Sequence, residues 1–455
     1  MIPLSLAEIA AVVGGVLADA PDPSVLITGD VELDSRRIGP GGLFVALPGA
    51  RVDGHDHAPA AVAAGAAGVL AARPVGTPAV VVPDVQEALA ALAHGVLERL
   101  PEITVVGVTG SSGKTSTKDL LAQLLAGLGP TVAPPGSFNN EIGHPYTVLR
   151  STAETRYLVL EKSSRGIGHI AWLTRIARPR IGVVLNVGSA HLGEFGSREN
   201  VARAKGELVE ALPAEGLAVL NADDPLVLAM ASRTAARVVT VGESADADVR
   251  ATGITLDPLG TPSYTLVYRG VSVPVTLAVH GVHQVGNSLS AAAVALELGM
   301  APDAIAAALG AARALSRWRM EVTERADGVL VVNDAYNANP ESMAAALRAL
   351  TTMARGRRSW AVLGAMGELG ETADDAHRRI GALTAELGVD RVVVVGPGAQ
   401  PLHDAARDIS VHVPDAAAAI TLLEKELEPE DVVLVKASRA AGLERVALAL
   451  AEAAR

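Results

Sequence analysis

Short apolar runs alternate along most of this chain with longer, Ala-rich stretches in which apolar positions recur every three or four residues. Runs of the first kind read as strands buried on both faces and the second kind as amphipathic helices, so the pattern predicts an α/β fold with mostly parallel sheets. Helical spacing covers residues 6–13, 58–67 and 85–100, with β-type runs at 42–46 and 79–82. Strand patterns follow at 103–108, 157–161, 181–186 and 216–220, and helical patterns at 118–128, 198–212 and from 283 onward. Residues 264–279 alternate strictly, as an antiparallel hairpin does. From 316 on, strands at 329–333, 360–364, 391–396 and 432–436 alternate with helices at 340–351, 373–387, 416–427 and 443–454. A chain of 455 residues at about 150 residues per domain suggests three domains. They are expected as a small α/β domain at 1–100, a central P-loop mononucleotide-binding domain at 101–315 and a Rossmann-like domain at 316–455.

Composition narrows the possible functions. Aromatic residues make up 2% of the chain and the net charge is −12, a poor supply of stacking platforms and a field that repels a phosphate backbone, so no nucleic-acid partner is expected. With no cysteine, disulfides, thiolate zinc sites and cysteine nucleophiles are excluded. The first thirty residues carry Glu8, Asp19, Asp22 and Asp30 without a basic segment leading into an apolar core. A cytoplasmic monomer acting on small molecules, without stable membrane insertion, is the expectation.

The most specific chemistry lies in Gly107-Val-Thr109-Gly110-Ser111-Ser112-Gly113-Lys114-Thr115-Ser116, set between a strand and a helix. Such a loop turns backbone N–H groups onto phosphate oxygens, adds the positive end of a helix, and supplies Lys114 as a point charge and Thr115 as a Mg²⁺ ligand. A nucleoside triphosphate is the expected ligand. Glu161 ends a buried strand, where nucleotide-binding sheets place a carboxylate for Mg²⁺. Ser35 and Arg36, beside Gly-rich turns, suit a phosphate or a uracil-like base and equally a solvated turn. His283 and Asn287 open a helix, where they either read a base edge or cap the helix. Lys205 sits on a semi-apolar helix face, where a lysine ordinarily reaches for water. Polar loops follow three strands of the last domain, at 333–340, 364–370 and 436–439, on the edge where ligands bind such sheets.

Taken together these loops resemble the Mur ligases, ATP-dependent amide-bond formers of peptidoglycan precursor synthesis. The resemblance covers essentially the whole chain. It is carried by Thr109 to Thr115, Asn139-Asn140-Glu-Ile-Gly143, Asn186-Val-Gly-Ser-Ala-His191, Ala204-Lys205-Gly-Glu, Asn333-Asp334-Ala-Tyr336-Asn337-Ala-Asn-Pro340 and Met366-Gly-Glu-Leu-Gly370. It implies joining of D-alanyl-D-alanine to a UDP-muramoyl tripeptide. It further implies that Ser35, Arg36 and Phe44 hold the UDP end, that Asn139, Asn140, Tyr336 and Asn337 contact substrate, and that Asn287, Arg319 and Asp334 hold ATP with the loop. Two Mg²⁺ ions are implied, one on Thr115 and Glu161, the other on His191 and a CO₂-derived carbamate of Lys205. Two stretches depart from the pattern. Lys162-Ser163-Ser164 leans toward the ligase that adds a diamino acid, and Ala437 stands where glycine is common.

Overall fold

The computed structural model describes residues 1–49, 52–188 and 192–452. Three sheet systems follow one another along the chain. The first is a five-stranded sheet in the order Val16–Ala18, Ala79–Val81, Gly68–Ala71, Leu43–Val45, Val31–Glu32, parallel except for Val16–Ala18, with a two-stranded ladder of Leu4–Ser5 and Leu26–Ile27 beside it. Helix Val85–Glu98 is buried on more than one side, through Ala88, Leu89, Leu92, Ala93 and Val96. One apolar core therefore runs unbroken from Leu6, Leu43 and Leu89 to Leu158, Leu160 and Leu173 of the central layers. The boundary expected at residue 100 falls inside that shared core.

The central sheet has nine strands, ordered Val271–Thr276, Pro262–Tyr268, Val249–Leu256, Arg237–Gly242, Leu217–Asn221, Ile181–Val184, Thr104–Thr109, Tyr157–Glu161, Thr131–Val132. Pairing is parallel from Thr131–Val132 to Val249–Leu256 and antiparallel beyond. The sequence pattern explains the division. Tyr157–Glu161 and Ile181–Val184 are buried at every position because helices cover both faces, whereas Val271–Thr276 alternates buried and exposed with one face open. The hairpin thus extends the sheet edge. Strand Thr104–Thr109 lies between Tyr157–Glu161 and Ile181–Val184, where the chain changes direction across the sheet, and the carboxyl ends of these strands form the crevice that such sheets use for ligands.

The last sheet runs Glu321–Glu324, Leu330–Asn333, Val432–Lys436, Ser359–Leu363, Arg391–Val395, Ser410–Val413, parallel except for the first strand. Alternate residues feed two cores, Leu330, Ala361, Val392 and Leu434 on one face and Val331, Trp360, Val393 and Val433 on the other. Its carboxyl edge faces the central crevice. The approach is backbone to backbone: a Cβ on Gly193, in helix Leu192–Phe195, would lie 2.6 Å from the Gly370 nitrogen, and Gly370 itself has φ +56°. No helix among the described residues is long and apolar enough to cross a membrane.

Candidate functional site

The helix after the phosphate loop begins at Lys114, four residues earlier than its polar Lys-Thr-Ser-Thr start suggests, because Gly113 takes φ +80° and turns the chain directly into the helix. Glycine suits this position, since φ +80° is left-handed and a Cβ on Gly113 would lie 2.4 Å from Asn287 Oδ1, so that a larger residue would be strained and would displace that side chain. Asn186, at the end of the neighbouring strand, accepts from the amides of Ser111 and Ser112, each at 3.0 Å, and fixes the loop's shape. Gly188 N donates to Ser111 Oγ at 2.8 Å.

A cleft of about 430 Å³ opens above this loop. Thr115 Oγ1 donates to Glu161 Oε2 at 3.0 Å, and Asn139 Nδ2 donates to Glu161 Oε1 at 2.7 Å, so a buried carboxylate is held at the mouth of the loop. Lys114 Nζ donates to the Gly110 carbonyl at 2.7 Å. Desolvation lowers the Lys114 pKa, Glu161 opposes that shift and Arg319 adds to it. From the opposite wall Arg319 Nη2 donates to Thr115 Oγ1 at 3.1 Å while its guanidinium lies 4.2 Å from the Tyr336 ring centroid. The buried Arg319 Nε has no partner among the described residues. Asp334 accepts from Lys436 Nζ at 2.6 Å and from Met320 N at 3.2 Å. Burial lowers the Lys436 pKa, against the pull of Asp334.

The structure thus gathers Ser111, Ser112, Gly113, Lys114, Thr115, Ser116, Asn139, Glu161, Asn287, Arg319, Asp334, Tyr336 and Asn337 around one cleft. Other expected residues lie elsewhere. Phe44 is a correction: its ring is 1% exposed on an inner strand and packs with Ile38, Ala46, Ala58 and Ala61, so it builds the core and presents no ligand surface. Thr109 is fully buried beneath the loop, donating to the Lys162 carbonyl at 2.9 Å, and Gly110 contributes its carbonyl to Lys114, so neither side faces the cleft. Asn140 accepts from Gly143 N at 2.9 Å and shapes its own loop. Ser35 and Arg36 lie outside the cleft, and Arg36 pairs with Asp34 at 2.6 Å in an exposed turn. His191 lies outside the described residues.

Lys205 is 5% exposed on helix Arg198–Glu210 and makes no hydrogen bond to a described residue. Desolvation holds its pKa well below the ordinary lysine value, and the nearby Lys114 charge adds to the effect. Two residues on, the Glu207 carboxylate accepts from Gly168 N at 2.5 Å and Ala171 N at 2.9 Å, tying this helix to the loop that follows Glu161. Lys436, Asn339 and Asn186 are the functional candidates that residue-by-residue reading underrated. The signal for Lys436 was a lone lysine closing an apolar strand at a sheet's carboxyl edge.

Lys162, the departure next to Glu161, points away from the cleft. It is fully buried and donates to His144 Nε2 at 2.8 Å and to the carbonyls of Leu173 and Ala177 at 3.2 and 3.4 Å. Accepting on Nε2 requires His144 to be neutral and protonated on Nδ1, which has no partner. Desolvation brings the Lys162 pKa down to about 7. Between pH 7 and the ordinary lysine value the unfolded chain binds a proton that the folded chain does not, so this residue makes stability rise with pH across that window. In metal-free buffer, urea midpoints of the wild type should therefore climb from pH 7 to 10 more steeply than those of Lys162→Met. Parallel slopes would count against a desolvated amine.

The chain matches three family models: "Mur ligase family, catalytic domain" over 29–99, "Mur ligase middle domain" over 108–295, and "Mur ligase, glutamate ligase domain" over 318–439. It is 54% identical to the UDP-N-acetylmuramoyl-tripeptide–D-alanyl-D-alanine ligase of Mycobacterium tuberculosis H37Rv, covering 99% of this chain and 98% of that one. Identity to the Escherichia coli K12 ligase of the same name is 38%, over 99% of both. A crystal structure of MurF from Acinetobacter baumannii superposes with a TM-score of 0.89 at 31% identity, over 99% of each chain. MurF ligase from Thermotoga maritima in complex with ADP gives 0.81 at 32% identity, over 94% of this chain and 98% of that one.

Proposed function

The chain belongs to the Mur ligase family, and we propose that it joins D-alanyl-D-alanine to a UDP-N-acetylmuramoyl tripeptide, with hydrolysis of ATP, in peptidoglycan precursor synthesis. The full-length match to ligases of that name carries the choice of substrates. The chemistry is supported by the meeting of Lys114 and Glu161 with Arg319, Asp334 and Lys436 in one cleft. Ser35 and Arg36, on the surface of the N-terminal layers, would take the UDP end.

In the reaction the terminal carboxylate of the tripeptide attacks the γ-phosphorus of ATP, and ADP leaves. The amine of the dipeptide then attacks the acyl phosphate carbonyl, loses its proton, and phosphate departs as the amide forms. Lys114 and the loop amides hold the β- and γ-phosphates, while Arg319 faces the same cleft from the opposite wall and adds its positive charge. Their contribution is positioning and charge stabilisation, with no covalent protein intermediate.

The donor set fits Mg²⁺. Thr115 and Glu161 present hard oxygens 3.0 Å apart, and no cluster of three His, Asp or Glu exists among the described residues, so phosphate and water would complete the shell. When bound, the metal neutralises charge on the transferring phosphoryl group. A second ion is proposed on His191 and a carbamate of Lys205. The desolvated Lys205 amine suits this modification, since the neutral form is the one that reacts with CO₂. A cytoplasmic site of action fits substrates of this kind.

Phosphate release tests the reading. With ATP, Mg²⁺ and UDP-muramoyl tripeptide, D-alanyl-D-alanine should stimulate release and yield the pentapeptide product. A free diamino acid with the dipeptide precursor should not. Stimulation by meso-diaminopimelate or lysine instead would transfer the chain to the diamino-acid-adding ligases.

A further inference from the structure

The segment that leaves the central layers, residues 312–320, does not cross freely to the C-terminal sheet. It lies along the helix that carries the phosphate loop, Lys114–Ala126, and three side chains of that helix hold it at regular intervals. Gln123 binds both backbone groups of Arg313, accepting from its N at 3.0 Å and donating to its carbonyl at 2.9 Å. One turn earlier Asp119 accepts from Ser316 N at 2.9 Å and from Ser316 Oγ at 3.1 Å. One turn earlier again, Thr115 Oγ1 accepts from Arg319 at 3.1 Å. Positions 115, 119 and 123 thus meet 319, 316 and 313, four helix residues for every three of the crossing chain.

Each four-residue step along a helix is about 6 Å, whereas three extended residues span about 10 Å, so the crossing chain must be compressed to stay in step. The chain turns sharply at its end, where Trp318 and Met320 take φ +59° and +53° without being glycine. The middle step is also the most buried. Asp119 and Ser316 are 4% and 6% exposed, and Lys118, paired with Asp119, donates to the Pro134 carbonyl at 3.0 Å and to Ser316 Oγ at 3.3 Å.

We propose that Asp119 and Gln123 are positioning residues: they lock the crossing chain to the phosphate-loop helix, so that the C-terminal layers pivot only beyond Ser316 and Arg319 is delivered to Thr115 in register. A free linker would let the C-terminal sheet approach the phosphates from many directions. A zippered one leaves Arg317 to Met320 as the pivot and couples nucleotide at the helix start to the placement of the opposite wall. The proposal rests on the ligase reading above for its catalytic consequence.

Half-buried Gln123 is the variant least exposed to misfolding, and Gln123→Ala in the full chain is the test, with Ser316→Ala beside it. In the complete assay kcat should fall at least about tenfold, with ATP affinity in the absence of other substrates changed less than about threefold and the thermal midpoint near wild type. Added to Arg319→Ala, the substitution should cost little more, because the register it maintains no longer serves an arginine. Hydrogen exchange gives a readout independent of the acceptor: ATP with Mg²⁺ should slow amide exchange over 312–320 in the wild type and fail to do so in Gln123→Ala. Wild-type kcat in Gln123→Ala, penalties that multiply with Arg319→Ala, or unchanged ATP protection of 312–320 would overturn the proposal. A wild type that makes no amide product fails the ligase reading instead, and the exchange comparison still decides this one.

Discussion

Lys114→Ala should lower ligation by at least about 10²-fold, the usual scale for removing one preorganised donor, while the protein stays folded. Folding should not suffer because the cleft desolvates this ammonium: its lowered pKa means that burial disfavours the charge in the folded state. The lysine is held ready for phosphate by a single 2.7 Å contact to the Gly110 carbonyl, and deleting the side chain leaves only that carbonyl to water. Initial rates of phosphate release with both substrates, set beside circular dichroism and the thermal midpoint, check the two halves of this expectation. A variant that keeps more than about a tenth of the activity would show that the loop amides and Arg319 suffice without Lys114.

Lys205→Ala should be nearly inactive, and small carboxylates such as formate or acetate should restore part of its activity. The structure makes an unmodified ammonium a poor occupant of this position. It is buried, close enough to Lys114 for the two charges to disfavour one another, and without a hydrogen-bonding partner among the described residues. Conversion to a carbamate would replace a cation that repels Mg²⁺ with an oxygen ligand, and an exogenous carboxylate in the space left by alanine offers the same oxygens. Intact-mass measurement under CO₂ and rescue kinetics check this together. An active Lys205→Ala enzyme, or an inactive one that carboxylates never rescue while it stays folded, would remove the carbamate from the mechanism.

Much of the architecture can be read along the chain because burial imposes its own period. Strands covered on both faces, such as Tyr157–Glu161 and Val432–Lys436, are apolar nearly throughout, and helices such as Pro340–Met353 repeat their apolar residues every three or four positions. Edge elements escape such reading. Thr131–Val132 and Ser410–Val413, at the outer edges of their sheets, are short and of mixed character, and only the neighbouring strand's unpaired backbone makes them strands. The phosphate loop is equally local, since its glycines, lysine and threonine act within one turn of chain.

What sequence alone determined, then, is the α/β layering, the phosphate loop and the carboxylate that closes its partner strand. Each depends on residues adjacent along the chain or on a period of two or 3.6. Tertiary structure decided which polar residues face one another. Phe44 went to the core because its strand lies inside a sheet; Asn186 grips the loop across a strand pairing; Lys436 meets Asp334 from 102 residues away; and Arg319 reaches Thr115 only because the crossing chain is held in step with a helix some 200 residues earlier. Contacts of that kind are fixed by the packing of layers and the closure of long loops, and no local pattern encodes them.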